Sequence, residues 1–122
     1  MRVEVISFGF KHGIPLNANF VFDVRGLHNP HKNPHMRRLT GLDKAVHHDV
    51  FSHEGGEFMF NTISIALWGL LRGETRDIRV AIGCIGGRHR SVAIAERLST
   101  MLRDTFTPEL EQVLVTHREL HP

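Results

Sequence analysis

A single cysteine, Cys84, stands in a sequence of 122 residues, so no disulfide can form within it and a reducing cytoplasm is the expected compartment. Long apolar runs are absent as well, which excludes a membrane-spanning helix. The first ten residues, MRVEVISFGF, read as a strand and lack the apolar core and small-residue cleavage site of a signal peptide. Net charge of one sign is scarce: the formal charge is +2, too little on its own to indicate nucleic-acid binding. Neither a Walker motif of the form GxxxxGK[ST] nor a metal-ligand spacing is present. With one cysteine, and with His47 and His48 adjacent rather than a helical turn apart, the ten histidines give no zinc pattern. No metal and no cofactor are expected.

What is present is the composition of one ordinary globular domain, expected to span residues 1–122, with 41% hydrophobic and 23% charged residues. Its centre is the stretch VAIGCIGGRHRSVAIAERL, Val80 to Leu98. An apolar run (Ile78, Val80, Ile82) enters the turn Gly83-Cys84-Ile85-Gly86-Gly87, passes the basic cluster Arg88, His89 and Arg90, and opens into a helical pattern from Ser91. Glycines let successive backbone N–H groups converge, and the helix that follows adds its positive end, so an anion is favoured there.

Further strands are expected over Arg2 to Phe8, Phe20 to Val24, Asp77 to Ile82 and Gln112 to Thr116. Helices are expected over Leu42 to Ser52, Glu57 to Leu71 and Ser91 to Arg103. Residues Gly26 to Gly41, with two Asn-Pro pairs, read as a long irregular binding loop. Strand, loop, helix and strand in succession specify an α/β fold with a mostly parallel sheet flanked by helices, three-layered or nearly so, with ligands at the carboxyl ends of the strands. The helix after Gly55-Gly56 is apolar nearly all round. The sheet on one side and a partner subunit on another would cover it, which predicts a homo-oligomer.

A parallel sheet would gather Lys11, Asp23, Arg25, Arg88, His89, Arg90, Ser91 and Arg118 at one edge, a set suited to a phosphorylated small molecule. Asp23 and Arg25 could equally form a local ion pair. Two other chemistries fit some of the same residues. Cys84 to Ser91 matches the Cys-x5-Arg-Ser/Thr loop of cysteine-dependent phosphatases, in which Cys84 would attack phosphorus, Arg90 would clamp the oxyanion and Asp23 or Asp43 could serve as the acid. Alternatively Lys32, Arg37 and Arg38, with Arg118 and the loop arginines, could bind RNA.

The motifs SFGFKHGIP, FDVRGLHNPH, LTGLD, AIGCIGGRHRSVAIAERL and THREL, in this order, resemble the C-terminal domain of the RapZ/YvcJ family over nearly the whole sequence. The resemblance implies a non-catalytic sensor domain for an amino-sugar phosphate such as glucosamine-6-phosphate, or for a nucleotide. Its pocket would be carried by Asp23, Arg25, His31, Ile85, Gly86, Gly87, His89, Arg90 and Ser91, with Ile85 at a Thr-like polar position. In the best-known member this domain also binds small regulatory RNAs. Because the family's Walker-type NTPase half is not within these residues, the resemblance also implies that a separate NTPase could be a partner.

Overall fold

The computed structural model describes residues 1–105 and 110–121, so residues 106–109 and 122 of the expected domain lie outside the described part. Four strands, β1 (Arg2–Gly9), β2 (Phe20–Asp23), β3 (Ile78–Cys84) and β4 (Gln112–His117), form one sheet in the order β2-β3-β1-β4. All three strand pairs are parallel, with Val5 opposite Val80 and Val115, and Val21 opposite Ala81. The mostly parallel sheet expected from the sequence is therefore wholly parallel.

Alternation along β1 decides what each face of the sheet meets. Val3 and Val5, with Val80, Ile82 and Cys84 of β3, share one core with α1 (Lys44–Ser52), α2 (Glu54–Leu70) and α3 (Arg90–Thr105). Ile6, Phe8 and Ala81 point the other way and are covered by Phe10 and Ala18 from the connection between β1 and β2. The helices thus occupy one face, and a short irregular segment closes the other in place of a third helical layer. Right-handed crossovers account for this. The steps β2 to β3 and β3 to β4 run in the same direction across the sheet, so their helices fall on the same side.

Several boundaries differ from the sequence expectation for local reasons. Asp77, expected in β3, lies outside it and accepts from the Arg2 N–H at 2.9 Å. Leu42, expected in α1, is 56% exposed and precedes the helix, whose buried stripe is Val46 and Val50. Asp43 closes that turn by accepting from the Thr40 N–H at 2.8 Å. The largest difference is in α2, which begins at Glu54 and carries Gly55 and Gly56 in its first turn. A side chain on Gly56 would collide with the Val50 carbonyl, so here glycine serves close helix approach rather than helix termination.

Helix α2 packs on α1 and α3 through Phe60, Ile63 and Leu67 and not broadly on the sheet, as its all-round apolarity suggests. Arg97 of α3 bridges to Glu57 of α2 at 2.7 Å and lies over the rings of Phe51 and Phe60. Phe58, Ile65, Trp68 and Leu70 of α2 remain exposed on the face expected to meet a partner subunit. Among the described residues no helix is long and apolar enough to cross a membrane.

Candidate functional site

Parallel pairing places the ends of all four strands along one edge, and the turn between β3 and α3 rises at its centre. Cys84 ends β3 and Arg90 begins α3, leaving Ile85 to His89 as the loop. Gly87 has a φ of 76°, the left-handed region that glycine enters without strain. A Cβ there would lie 2.5 Å from both the Gly9 nitrogen and Glu119 Cγ, so Gly87 forms the back of the loop, pressed against the end of β1. Gly86 has open space where a side chain would be. Among the described residues the N–H groups of Gly86, Gly87 and Arg88 donate to no backbone acceptor, which leaves them available to an anion.

The loop forms one wall of a cleft of about 220 Å³ lined by Lys11, Asn29, His31, Cys84, Ile85, Gly86, Arg88, His89 and Arg90. The opposite wall comes from the Gly26 to Gly41 connection, which is more ordered than its sequence suggests. Asn29-Pro30-His31-Lys32 and Asn33-Pro34-His35-Met36 are two consecutive single turns of 3-10 helix. In each, the asparagine side chain accepts from the backbone N–H of the histidine, at 3.1 Å and 3.0 Å, and proline occupies the first helical position. This capping sets His31 and Asn29 facing the loop.

The last residue of the loop and the first of α3 lock these walls together. His89 is buried, and its Nε2 lies 3.0 Å from the Met36 carbonyl and 2.7 Å from that of Leu39. Nε2 between two carbonyls must carry the proton. Burial holds the His89 pKa below its usual 6.5; the two carbonyls oppose this, and the charges of Arg88 and His31 add to it. Because protonation is easier in the unfolded chain, His89 costs stability as pH falls through 6.5. Melting temperature should thus fall more steeply for the native chain than for His89→Gln between about pH 7 and pH 5, whereas parallel profiles would remove His89 from the account.

Arg90 is the second lock. It is 3% exposed, and Nη1 donates to the Arg25 carbonyl at 2.7 Å and the Leu27 carbonyl at 3.2 Å. Its Nε is buried with no hydrogen-bond partner. A buried guanidinium N–H without an acceptor is costly, and an oxyanion in the cleft that Arg90 lines would relieve that cost.

The remaining predicted residues divide by position. Asp23 and Arg25 do not line the cleft; they pair with each other, Nη2 to Oδ2 at 2.7 Å and Nε to Oδ1 at 3.0 Å, and the Arg25 guanidinium lies 3.8 Å from the Phe10 ring centre. The Arg25 hydrogen bonds hold the Asp23 carboxyl below its usual range, so it stays ionised and is poorly placed to act as an acid. Ser91 is fully buried, its hydroxyl 3.1 Å from the Cys84 sulfur. Of the residues expected to touch RNA, Arg118 is engaged by Glu119 at 2.8 Å and the Gly13 carbonyl at 2.6 Å, and Arg37 donates to the His31 carbonyl at 2.9 Å. Lys32 and Arg38 are exposed.

Asn29 and Cys84 also line the cleft, although neither was expected to bind the ligand. The Asn-Pro turn was the available signal for Asn29. A larger hollow of about 480 Å³ lies between α1 and α3, lined in part by Lys44, His47, His48 and Glu96. It has no glycine turn with free N–H groups, so the smaller cleft has the better anion chemistry.

Comparison with known proteins identifies the family. The family model described as the RapZ C-terminal domain matches residues 1–121. A protein of Macrococcus caseolyticus named nucleotide-binding protein is 44% identical over 112 residues, covering 88% of this chain and 37% of its own length. One of the same name from Thermobifida fusca is 41% identical over 124 residues, covering 98% and 41%. Another, from Clavibacter michiganensis subsp. michiganensis, is 48% identical over 107 residues, covering 84% and 37%. The chain thus spans about two fifths of the length of these relatives.

Proposed function

The chain belongs to the RapZ C-terminal domain family, and from that premise we propose that its cleft binds the phosphate of a small phosphorylated molecule as a non-catalytic sensor. The ligand is an amino-sugar phosphate such as glucosamine-6-phosphate, with a nucleotide as the alternative that the relatives' name suggests. The observation that carries this reading is a cleft whose loop N–H groups are free and whose lining includes Arg90, a buried guanidinium with one N–H, at Nε, that meets no acceptor. The phosphate accepts from Arg90 and the Gly86 to Arg88 amides, Lys11 and Arg88 balance its charge, and His31 and Asn29 meet the organic part.

A second reading has one observation in its favour. The Ser91 hydroxyl approaches the Cys84 sulfur within a strand, loop and helix that obey the Cys-x5-Arg-Ser pattern, as a phosphatase thiolate requires. It ranks lower because, of the two carboxylates expected as its acid, Asp23 is paired with Arg25 and Asp43 accepts from the Thr40 N–H, and neither lines the cleft.

Calorimetric titration tests both. Glucosamine-6-phosphate or a nucleoside monophosphate should bind the native chain, and unphosphorylated glucosamine should not. Arg88→Ala should weaken binding about tenfold, the effect of ~1.4 kcal/mol from one partly screened charge-assisted contact. Cys84→Ser should keep the affinity, with no aryl phosphate hydrolysed by either protein. Equal affinity for glucosamine and its phosphate would overturn the phosphate assignment. Turnover lost in Cys84→Ser would establish the second reading.

A further inference from the structure

Beside the anion cleft, and independent of it, His28, Asp49 and His53 converge from two separate parts of the chain. His28 follows Leu27, whose carbonyl Arg90 holds; Asp49 lies in the last turns of α1, and His53 joins α1 to α2. One ligand atom from each lies within 4.8 Å of the others, and His28 Nε2 stands 3.5 Å from Asp49 Oδ2. The two imidazoles stack with ring centres 3.7 Å apart and planes 8° from parallel.

Two details distinguish this cluster from a chance meeting of surface side chains. Asp49 Oδ2 is inaccessible to solvent and has no hydrogen-bond partner, so a carboxylate oxygen withdrawn from water has only the His28 imidazole, 3.5 Å away, to balance it. His53 Nδ1 lies 2.7 Å from the Asp49 backbone carbonyl, so it donates there and its Nε2 keeps the lone pair. A ligating histidine is usually oriented by such an outer hydrogen bond to a backbone carbonyl.

We propose that His28, Asp49 and His53 form a site for a divalent transition-metal ion of the zinc type. Two imidazoles and one carboxylate are the donors such ions take, and tetrahedral bonds of about 2.0–2.1 Å put neighbouring donors roughly 3.3–3.5 Å apart. The His28 to Asp49 separation already has that value, and binding requires the two stacked rings to turn out of parallel so that their in-plane lone pairs meet at one ion, a movement that the exposure of both histidines permits. A water fills the fourth position. The sequence spacing gives no metal site because one ligand comes from the Gly26 to Gly41 connection, far from the Asp49-x3-His53 pair. The ion also ties the wall of the anion cleft, through His28, to the α1–α2 junction.

Co2+ and Zn2+ titrations of metal-stripped chain test the proposal. The native chain should take up one ion of Co2+ with the visible absorption of a four-coordinate site, Zn2+ should displace it, and Zn2+ should raise the melting temperature. His28→Ala, His53→Ala and the isosteric Asp49→Asn should each lose the absorption and the melting shift, while His47→Ala and His48→Ala keep both. Asp49→Asn also guards against simple misfolding: without metal it should melt near or above the native temperature, since it removes a solvent-inaccessible carboxylate oxygen that has no hydrogen-bond partner. No uptake by the native chain, or uptake undiminished in Asp49→Asn and His28→Ala, would overturn the site.

Discussion

Arg90→Ala should abolish binding of the phosphorylated ligand, a loss of about 100-fold or more, and should lower stability by ~2–4 kcal/mol. Both effects come from one side chain with two duties. Its Nη1 satisfies the carbonyls of Arg25 and Leu27, which would otherwise be left without a donor beneath the cleft wall. Its Nε is a buried donor without a partner, which a phosphate oxygen would complete under the proposed function. Arg90→Lys keeps the charge but lacks the planar fork, so it cannot hold two carbonyls and an oxyanion together, and only a minor part of either loss should be recovered. Thermal melting and calorimetry below the melting temperature separate the two duties. A variant that melts lower but binds with native affinity would leave Arg90 as a structural clamp only.

The adjacent glycines should respond in opposite ways. Gly87→Ala places a methyl group 2.5 Å from the Gly9 nitrogen and 2.7 Å from the Phe8 carbonyl carbon, at a φ of 76° that alanine adopts only with strain. Because backbone rather than a flexible side chain blocks the space, the cost should be ~3 kcal/mol or more, lowering the melting temperature by about 10 °C or more. Gly86→Ala meets nothing within 4 Å. It should leave stability within about 0.5 kcal/mol of native while its methyl, in the cleft, weakens ligand binding. If both variants melted alike, the division of the loop into a structural back and a binding front would be wrong.

That division marks the limit of what the sequence made legible. The apolar run Ile78, Val80 and Ile82, the glycines, the basic residues and the helical pattern from Ser91 were enough to place β3, the loop and α3, and thereby the parallel sheet, although β3 runs on to Cys84. The convergence of strand ends followed from topology alone. The direction of a charged side chain did not, because charge is written in the sequence and orientation is not. Arg90 turns inward onto two carbonyls, while Asp23 and Arg25 satisfy each other outside the cleft. Gly55-Gly56 read as a break because glycine is a poor helix former, but close contact with the Val50 carbonyl outweighs that propensity. The Asn-Pro pairs read as irregular, and became two capped turns only once each asparagine was seen to accept from the histidine N–H.

Diffraction from crystals of the chain grown with glucosamine-6-phosphate tests the central claim most directly. A phosphate oxygen should lie within hydrogen-bond distance of Arg90 Nε, with further oxygens on the Gly86 to Arg88 amides and the sugar toward His31. A phosphate bound elsewhere, with Arg90 Nε still lacking an acceptor, would contradict it.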